Sequence, residues 1–158
     1  MIMKAFLRSS VVGLLLMGWQ TACAQTNQRL EKMAKTVTAS HTEDGHAVSL
    51  ICDGNLAATA PYWSSYHGRD AFGSEEWVEY EWVFTCQVNR TSILWKAMGD
   101  SLLLPNAARF EWWDGQAWQP CGNVSAPSAS GVSSTKVDFA TKRLRLYMQS
   151  PAACGIRE

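Results

Sequence analysis

After residue 36 the apolar residues of this chain alternate with polar ones, and no stretch keeps the period of an amphipathic helix over three turns. A period of two is typical of a β-strand with one buried face, because successive side chains of a strand point to opposite sides. The clearest such segment covers residues 76–84. Its predicted buried face is Val78, Tyr80, Trp82 and Phe84, and its predicted outer face is Trp77, Glu79, Glu81 and Val83.

Four further segments repeat this alternation, at residues 91–97, 108–113, 135–139 and 143–148. Asp114 and Gly115 predict a turn, and the chain returns through Trp118 to form a hairpin. Loops rich in Gly, Ser, Ala, Pro and Asn separate the strands at residues 53–74, 99–107 and 122–134. Many short strands with turns between them predict an all-β fold, an antiparallel β-sandwich or jelly roll.

The first 24 residues are typical of an export signal. Lys4 and Arg8 precede an apolar run, residues 11–19, that is too short to span a bilayer. Small residues at positions 22 and 24 predict cleavage after Ala24, followed by a polar leader, residues 25–35, and one domain, residues 36–158. The alternative is a lipoprotein signal with a lipid on Cys23. Both readings predict a secreted or periplasmic protein without a transmembrane segment.

Composition narrows the class of partner. Charged residues make up 18% of the chain, against roughly a quarter in an average soluble domain, while 8 residues are tryptophan. The 14 basic and 14 acidic side chains become 12 and 14, a net charge of −2, when Lys4 and Arg8 leave with the signal. A weakly acidic domain is unsuited to nucleic acid or to an anionic membrane surface.

No catalytic motif is present in the sequence, which lacks a nucleophile elbow, an HExxH helix, a phosphate-binding loop and a dinucleotide fingerprint. The three histidines, His41, His46 and His67, are scattered through loop-like sequence. Glu79 and Glu81 share a strand face, and a solvated face explains them more simply than a glycosidase pair. The sequence therefore predicts a protein that is not an enzyme.

Four cysteines follow the signal, and an oxidising compartment allows them to pair in three ways. They are Cys52, Cys86, Cys121 and Cys154. Their spacings include no CxxC and no Cys/His pattern, which argues against zinc. Buried free thiols are the alternative to disulfides.

Six segments occur in the order found in galactose-binding-like domains, also called discoidin or coagulation factor type C domains, and resemble them. They are Ala39-Ser40, Cys52 to Ser64, Glu76 to Tyr80, Phe110 to Trp118, Arg143 to Leu146, and Gly155 to Glu158. The resemblance covers residues 36–158 and is greatest to modules of secreted bacterial glycoside hydrolases, relatives of family 32 carbohydrate-binding modules. It implies a galactose-binding-like β-sandwich. In that family several residues follow the last segment, so the end at Glu158 leaves a very short last strand or a truncated chain as alternatives.

The resemblance further implies one structural calcium ion, held where the first long loop meets the last strand. By position its ligands would be Asp53, Asn55, Thr59 and Glu158, whose oxygens suit a hard cation; the alternative is that Asp53 begins only a turn. If Asp53 and Glu158 meet at one ion, their neighbours Cys52 and Cys154 lie close together. The disulfides implied in this way are Cys52–Cys154 and Cys86–Cys121.

Modules of this kind bind sugars through an aromatic ring and a few polar side chains in loops. The candidate residues in and beside the loops are Tyr66, His67, Arg69, Asp70, Asp100, Asn106 and Arg109, although the chain lacks a clear triad of His, Arg and Asn at positions that match the sugar-binding pattern. The resemblance thus implies a non-catalytic module that recognises carbohydrate or a glycan-bearing surface and accompanies a glycoside hydrolase. The alternative is an interaction module without a sugar site, which would pack through the exposed rings of Trp77 and Trp113.

Overall fold

The computed structural model describes residues 29–67, 75–128 and 131–158. The predicted signal, Cys23 and the start of the leader lie outside these ranges. The described elements are the 3₁₀ helices Leu30–Met33 and Val48–Cys52 and the strands β1 (Thr36–Ala39), β2 (Trp63–Ser64), β3 (Glu75–Lys96), β4 (Ala107–Trp113), β5 (Trp118–Asn123), β6 (Val132–Gln149) and β7 (Gly155–Ile156). Neither of these short helices could cross a membrane.

All strand pairs are antiparallel, and the strand order is β2-β7-β3-β6-β4-β5, with β1 also paired to β3. The first half of β3 and the second half of β6 lie in one layer with β1, β4 and β5. The second half of β3 pairs with β7, which pairs with β2. Side chains from both halves share one core, so the predicted antiparallel sandwich is confirmed.

The long strands β3 and β6 each join two segments that the sequence predicts as separate strands. They pair from Glu75 opposite Gln149 to Leu94 opposite Val132, with register shifts between Glu81 and Cys86 and between Val88 and Arg90. Neither 85–90 nor 140–142 contains Gly or Pro, the residues that most often end a strand. A bulge bends a strand without ending it, and β3 therefore continues through the bend.

The bend also corrects one core assignment. The period of two predicts Phe84 to be buried with Val78 and Trp82, which are 1% and 3% exposed. Phe84 is 57% exposed because it falls inside the register shift, where the alternation of faces is interrupted.

Three buried tryptophans pack their rings into the core and donate their indole N–H groups to residues that are distant in sequence. Trp63, Trp82 and Trp95 are each at most 4% exposed. Their Nε1 atoms donate to the carbonyl of His41 (3.1 Å), the carbonyl of Leu30 (2.8 Å) and the hydroxyl of Ser133 (2.9 Å), respectively. A buried indole N–H without an acceptor would cost free energy, so these contacts also tie the loop of His41, the first 3₁₀ helix and β6 to the core.

Candidate functional site

The two loops that carry the predicted sugar-binding residues are attached to the same segment before β7. The backbone N–H of Ser65 donates to Cys154 (3.0 Å), and the N–H of Leu103 donates to Ala153 (2.9 Å). The N–H of Asn106 donates to the carbonyl of Gln149 at 2.8 Å. The structure thus places both loops at one end of the sandwich, which we call the loop end.

The predicted residues at the loop end differ in exposure. Tyr66 and His67 are half-buried, and the ring of His67 contacts the ring of His41 edge to face at 4.5 Å between centroids. His67 Nδ1 lies 2.9 Å from the carbonyl of Ser65. Asp100 and Asn106 are exposed. The remaining two, Arg69 and Asp70, lie outside the described residues.

Arg109 is the exception, because it lies within β4 instead of in a loop. Its guanidinium lies 4.0 Å from the ring centroid of Tyr147, the residue opposite it on β6. Because Phe110 beside it is buried, Arg109 points to the outer side of the sheet. Arg109 therefore lies in the strand that follows the second loop, as the predicted strand 108–113 implies, and its side chain belongs to a second group on the sheet.

This group covers the outer side of β4, β5 and β6 and consists of three arginines and three aromatic residues. We call it the aromatic–arginine face; its members are Arg109, Trp113, Trp118, Arg143, Arg145 and Tyr147. Every member is intermediate in exposure. The opposite side of the same strands is core, as shown by the buried residues Phe110, Leu144, Leu146 and Met148.

Within the face the guanidinium groups lie against the aromatic rings. The Arg143 guanidinium is 5.0 Å from the ring centroids of both Trp113 and Trp118, and that of Arg145 is 4.4 Å from Trp118. The two indoles meet edge to face with centroids 5.4 Å apart. Guanidinium groups within about 6 Å of a ring are attracted by its electrons, so the rings and arginines stabilise one another's positions.

Two carboxylates lie beneath this layer and orient it. Glu111 accepts hydrogen bonds from Arg109 Nε (2.7 Å) and Arg145 Nε (2.6 Å), and its side chain is 7% exposed. Glu79 accepts from Arg143 Nε at 2.6 Å, and this bond raises the pKa of the Arg143 guanidinium. The acids are covered while the arginines stay partly exposed, so the face presents rings and N–H donors to solvent with little net charge.

The hairpin between β4 and β5 sets the positions of the two indoles. Asp114 Oδ1 accepts from the N–H groups of Gln116 (2.7 Å) and Ala117 (2.8 Å), which lowers the pKa of this carboxyl. Gly115 has φ of 108°, a conformation that favours glycine. The predicted turn is confirmed, and its register places Trp113 directly opposite Trp118.

Sequence reasoning missed four members of this face. The sequence pattern predicts a returning strand at Trp118 and a polar strand side at Arg143, Arg145 and Tyr147, and assigns no ligand contact to any of them. The available signal is the alternation Arg-x-Arg-x-Tyr, which places two cations and a ring on one side of β6. Contact between these arginines and the rings of Trp113 and Trp118 depends on the order of the strands in the sheet, and the alternation of residues does not specify that order.

The loop that the resemblance assigns to calcium does lie next to Glu158, but the oxygens that would bind the ion accept hydrogen bonds from the protein instead. Glu158 accepts from the backbone N–H of Gly54 (3.1 Å) and pairs with Arg29. Asp53 Oδ1 accepts from Asn55 N–H (2.6 Å), Asn55 Oδ1 accepts from Ala57 N–H (3.1 Å), and Thr59 is exposed. No group of three His, Cys, Asp or Glu side chains converges as metal ligands in the described part of the chain. As arranged, these residues do not form a calcium site.

No disulfide joins the four cysteines of the domain, so the implied pairs Cys52–Cys154 and Cys86–Cys121 are not formed in this structure. The thiol of Cys52 is turned to the carbonyl of Ser49 in its own 3₁₀ helix, at 3.2 Å. Cys154 is fully buried, and burial raises its pKa to about 11. Burial, assisted by Glu111, also raises the pKa of Cys121 to about 11. The alternative reading of buried thiols describes Cys86 and Cys154.

Comparison with known proteins supports the fold and leaves the sequence family open. No family model matches the sequence, and no curated protein matches it. Among solved structures, the chain is similar to the module CpGH89CBM32-5 from Clostridium perfringens, described in complex with GalNAc-β-1,3-galactose. That match has 10% identity and a TM-score of 0.63, and covers 78% of this chain and 91% of the module.

Two further structures agree. The family 32 module of C. perfringens NanJ, in complex with galactose, has 14% identity and a TM-score of 0.62, with 78% and 89% of the two chains covered. Chitosan-binding module 1 from a chitosanase/glucanase of Paenibacillus sp. IK-5 has 19% identity and a TM-score of 0.60, with 81% and 94% covered. The chain therefore has the galactose-binding-like β-sandwich fold of carbohydrate-binding modules, as the sequence resemblance predicts.

Proposed function

We propose that this chain is a non-catalytic carbohydrate-binding module that recognises a polysaccharide through its aromatic–arginine face. The observation that carries the proposal is the packing of three rings and three guanidinium groups on the solvent side of one sheet. Glu79 and Glu111 fix these arginines from below, so the surface is ordered before any ligand arrives. A prepared surface loses less side-chain entropy on binding.

The chemistry of this face suits a sugar chain. The carbon-bound hydrogens of a pyranose pack against an aromatic ring, while its hydroxyls accept hydrogen bonds from guanidinium N–H groups. Side chains on one side of a strand repeat every ~7 Å, and neighbouring strands lie ~4.8 Å apart, so the face extends over more than one sugar unit. We therefore expect oligosaccharides to bind better than monosaccharides.

The structural neighbours support the class of ligand. One is described with GalNAc-β-1,3-galactose, another with galactose, and chitosan-binding module 2 of the Paenibacillus enzyme with chitotriose. These sugars differ from one another, so a panel should include galactose-containing, amino-sugar and acidic polysaccharides. The loop end, with Tyr66, His67 and Asn106, is the competing location for the same function.

Affinity gel electrophoresis of the purified protein against this panel tests the proposal. We expect at least one polysaccharide to retard the unmodified protein. Trp118→Ala should bind that polysaccharide roughly tenfold more weakly, because the loss of ~50 Å² of apolar contact between ring and sugar reduces the binding free energy by about 1.3 kcal/mol. Phe84→Ala is the matched control, since Phe84 is an exposed aromatic residue in the bend of β3 and is no member of the face. Retardation by no polysaccharide would instead favour the interaction module.

We propose in addition that the module is exported and accompanies a glycoside hydrolase. Several neighbours are parts of such enzymes, including the Streptococcus pneumoniae β-galactosidase BgaA (16% identity, TM-score 0.65). N-terminal sequencing of the protein recovered from a bacterial host would find Gln25 first if the signal is cleaved after Ala24. Incorporation of labelled palmitate, abolished by Cys23→Ser, would establish the lipoprotein alternative.

A further inference from the structure

The segment before β1 is an integral part of the domain. We call residues 29–35 the N-terminal arm. Its carbonyl at Leu30 accepts the indole N–H of the buried Trp82 at 2.8 Å, and its last backbone N–H, on Lys35, donates to Glu81 at 2.7 Å. Leu30 and Ala34 also pack against the core. These contacts fix the arm next to the Asp53 loop and the end of the chain.

Two cationic side chains of the arm reach this junction. The guanidinium of Arg29 pairs with one carboxylate oxygen of Glu158, whose side chain is 8% exposed. The other oxygen accepts the N–H of Gly54 at 3.1 Å. The ammonium of Lys32 lies so close above Gly54 that a Cβ at that position would collide with it. The space over the turn of the loop is therefore filled by positively charged protein atoms.

We propose that the N-terminal arm provides the positive charge that joins this loop to the last strand, so that the fold is complete without calcium. Calcium requires six to eight oxygen ligands, whereas Glu158 here receives N–H donors on both oxygens. A divalent ion at this position would have to displace Arg29 and the N–H of Gly54. Arginine suits the task because it stays charged and donates several hydrogen bonds in a fixed plane.

The electrostatics of the junction agree with this role. Burial raises the pKa of Glu158, and the carboxylates of Glu31, in the arm itself, and of Asp53 act in the same direction. Arg29 and the Gly54 N–H oppose both effects. Removing the cation would leave a largely buried carboxylate with one backbone donor, which is unfavourable.

Thermal unfolding of the full chain tests the proposal. In EDTA and in 5 mM calcium chloride we expect the same Tm within about 1 °C. Arg29→Ala should lower the Tm by about 4 °C or more, equivalent to roughly 1 kcal/mol in a domain of this size. Lys35→Ala is the matched control, because it removes a cation from the same arm whose partner, Glu81, is 40% exposed; it should change the Tm little.

Two results would overturn the proposal. One is a calcium-dependent rise of several degrees in the Tm of the unmodified protein, and the other is an Arg29→Ala effect no larger than that of Lys35→Ala. Equilibrium dialysis with calcium alone on the unmodified protein gives an answer even if a variant does not fold. We expect less than 0.1 ion bound per chain at 1 mM, and one ion per chain would refute the role of the arm.

Discussion

The most informative change to the aromatic–arginine face is Glu111→Gln. Glu111 lies in the centre of β4 and accepts hydrogen bonds from Arg109 and Arg145 while its side chain is 7% exposed. Glutamine has nearly the same shape, so packing is preserved and only the negative charge is removed. In the unmodified protein the carboxylate of Glu111 compensates the charges of both guanidinium groups. In the variant these two positive groups would lie close together without a negative charge between them.

The size of the effect follows from these contacts. A hydrogen bond to a charged group contributes about 1.5–3 kcal/mol, and two such bonds converge on Glu111. The arginine side chains are 38% and 22% exposed and recover part of this loss by hydration, and the amide oxygen of glutamine keeps one bond. We therefore expect the free energy of unfolding to fall by about 2 kcal/mol, with a weaker affinity for polysaccharide because Arg145 no longer holds its place over Trp118.

Urea denaturation followed by tryptophan fluorescence measures this change. The control is Asp138→Asn, since Asp138 is an exposed acid on β6 whose partner, Gln87, is uncharged. If Glu111→Gln destabilises the protein no more than Asp138→Asn does, the carboxylate does not organise the face and the argument for a prepared surface fails.

Three further outcomes are expected. Gly155→Ala should destabilise the protein more than Gly45→Ala in urea denaturation, because a Cβ at Gly155 would lie 2.8 Å from the backbone carbonyl oxygen of Lys96, whereas a Cβ at Gly45 would meet nothing within 4 Å; equal effects would contradict this. Cys154 should react with Ellman's reagent only after unfolding, since it is fully buried; fast reaction in native protein would contradict its placement. The free energy of unfolding should fall as the pH rises above about 9. The pKa values of Cys121 and Cys154 are raised to about 11 in the folded protein, so these thiols lose their protons at a lower pH in the unfolded chain than in the folded one. Cys121→Ala should reduce the slope of this free energy against pH.

The sequence predicts the fold well because the alternation of apolar and polar residues is a local property. Val78 and Trp82 are buried as the period of two requires, and the turn at Asp114 and Gly115 lies where its residues indicate. The prediction fails at Phe84, where a bulge interrupts the alternation. A bulge depends on how β3 and β6 bend together, which no local pattern encodes.

The site is less predictable, because it depends on contacts between distant residues. The loops that carry Tyr66, His67 and Asn106 are held to one segment before β7 by backbone hydrogen bonds between residues that are distant in sequence. The contact between the Trp118 ring and the Arg145 guanidinium joins β5 to β6 across β4, and it can be predicted only when the strand order is known. The pairing of Arg29 with Glu158 joins the arm to the last strand and likewise leaves no trace in local sequence.

Indole N–H signals of the ¹⁵N-labelled protein give the most direct test that the aromatic–arginine face binds sugar. The titrant is an oligosaccharide cut from the polysaccharide that retards the protein in affinity gels. We predict that the signals of Trp113 and Trp118 move with the fraction bound, while those of the buried Trp63 and Trp95 stay in place. Stationary indole signals for Trp113 and Trp118, with shifts confined to the backbone amide signals of Tyr66 and His67, would contradict the proposed site.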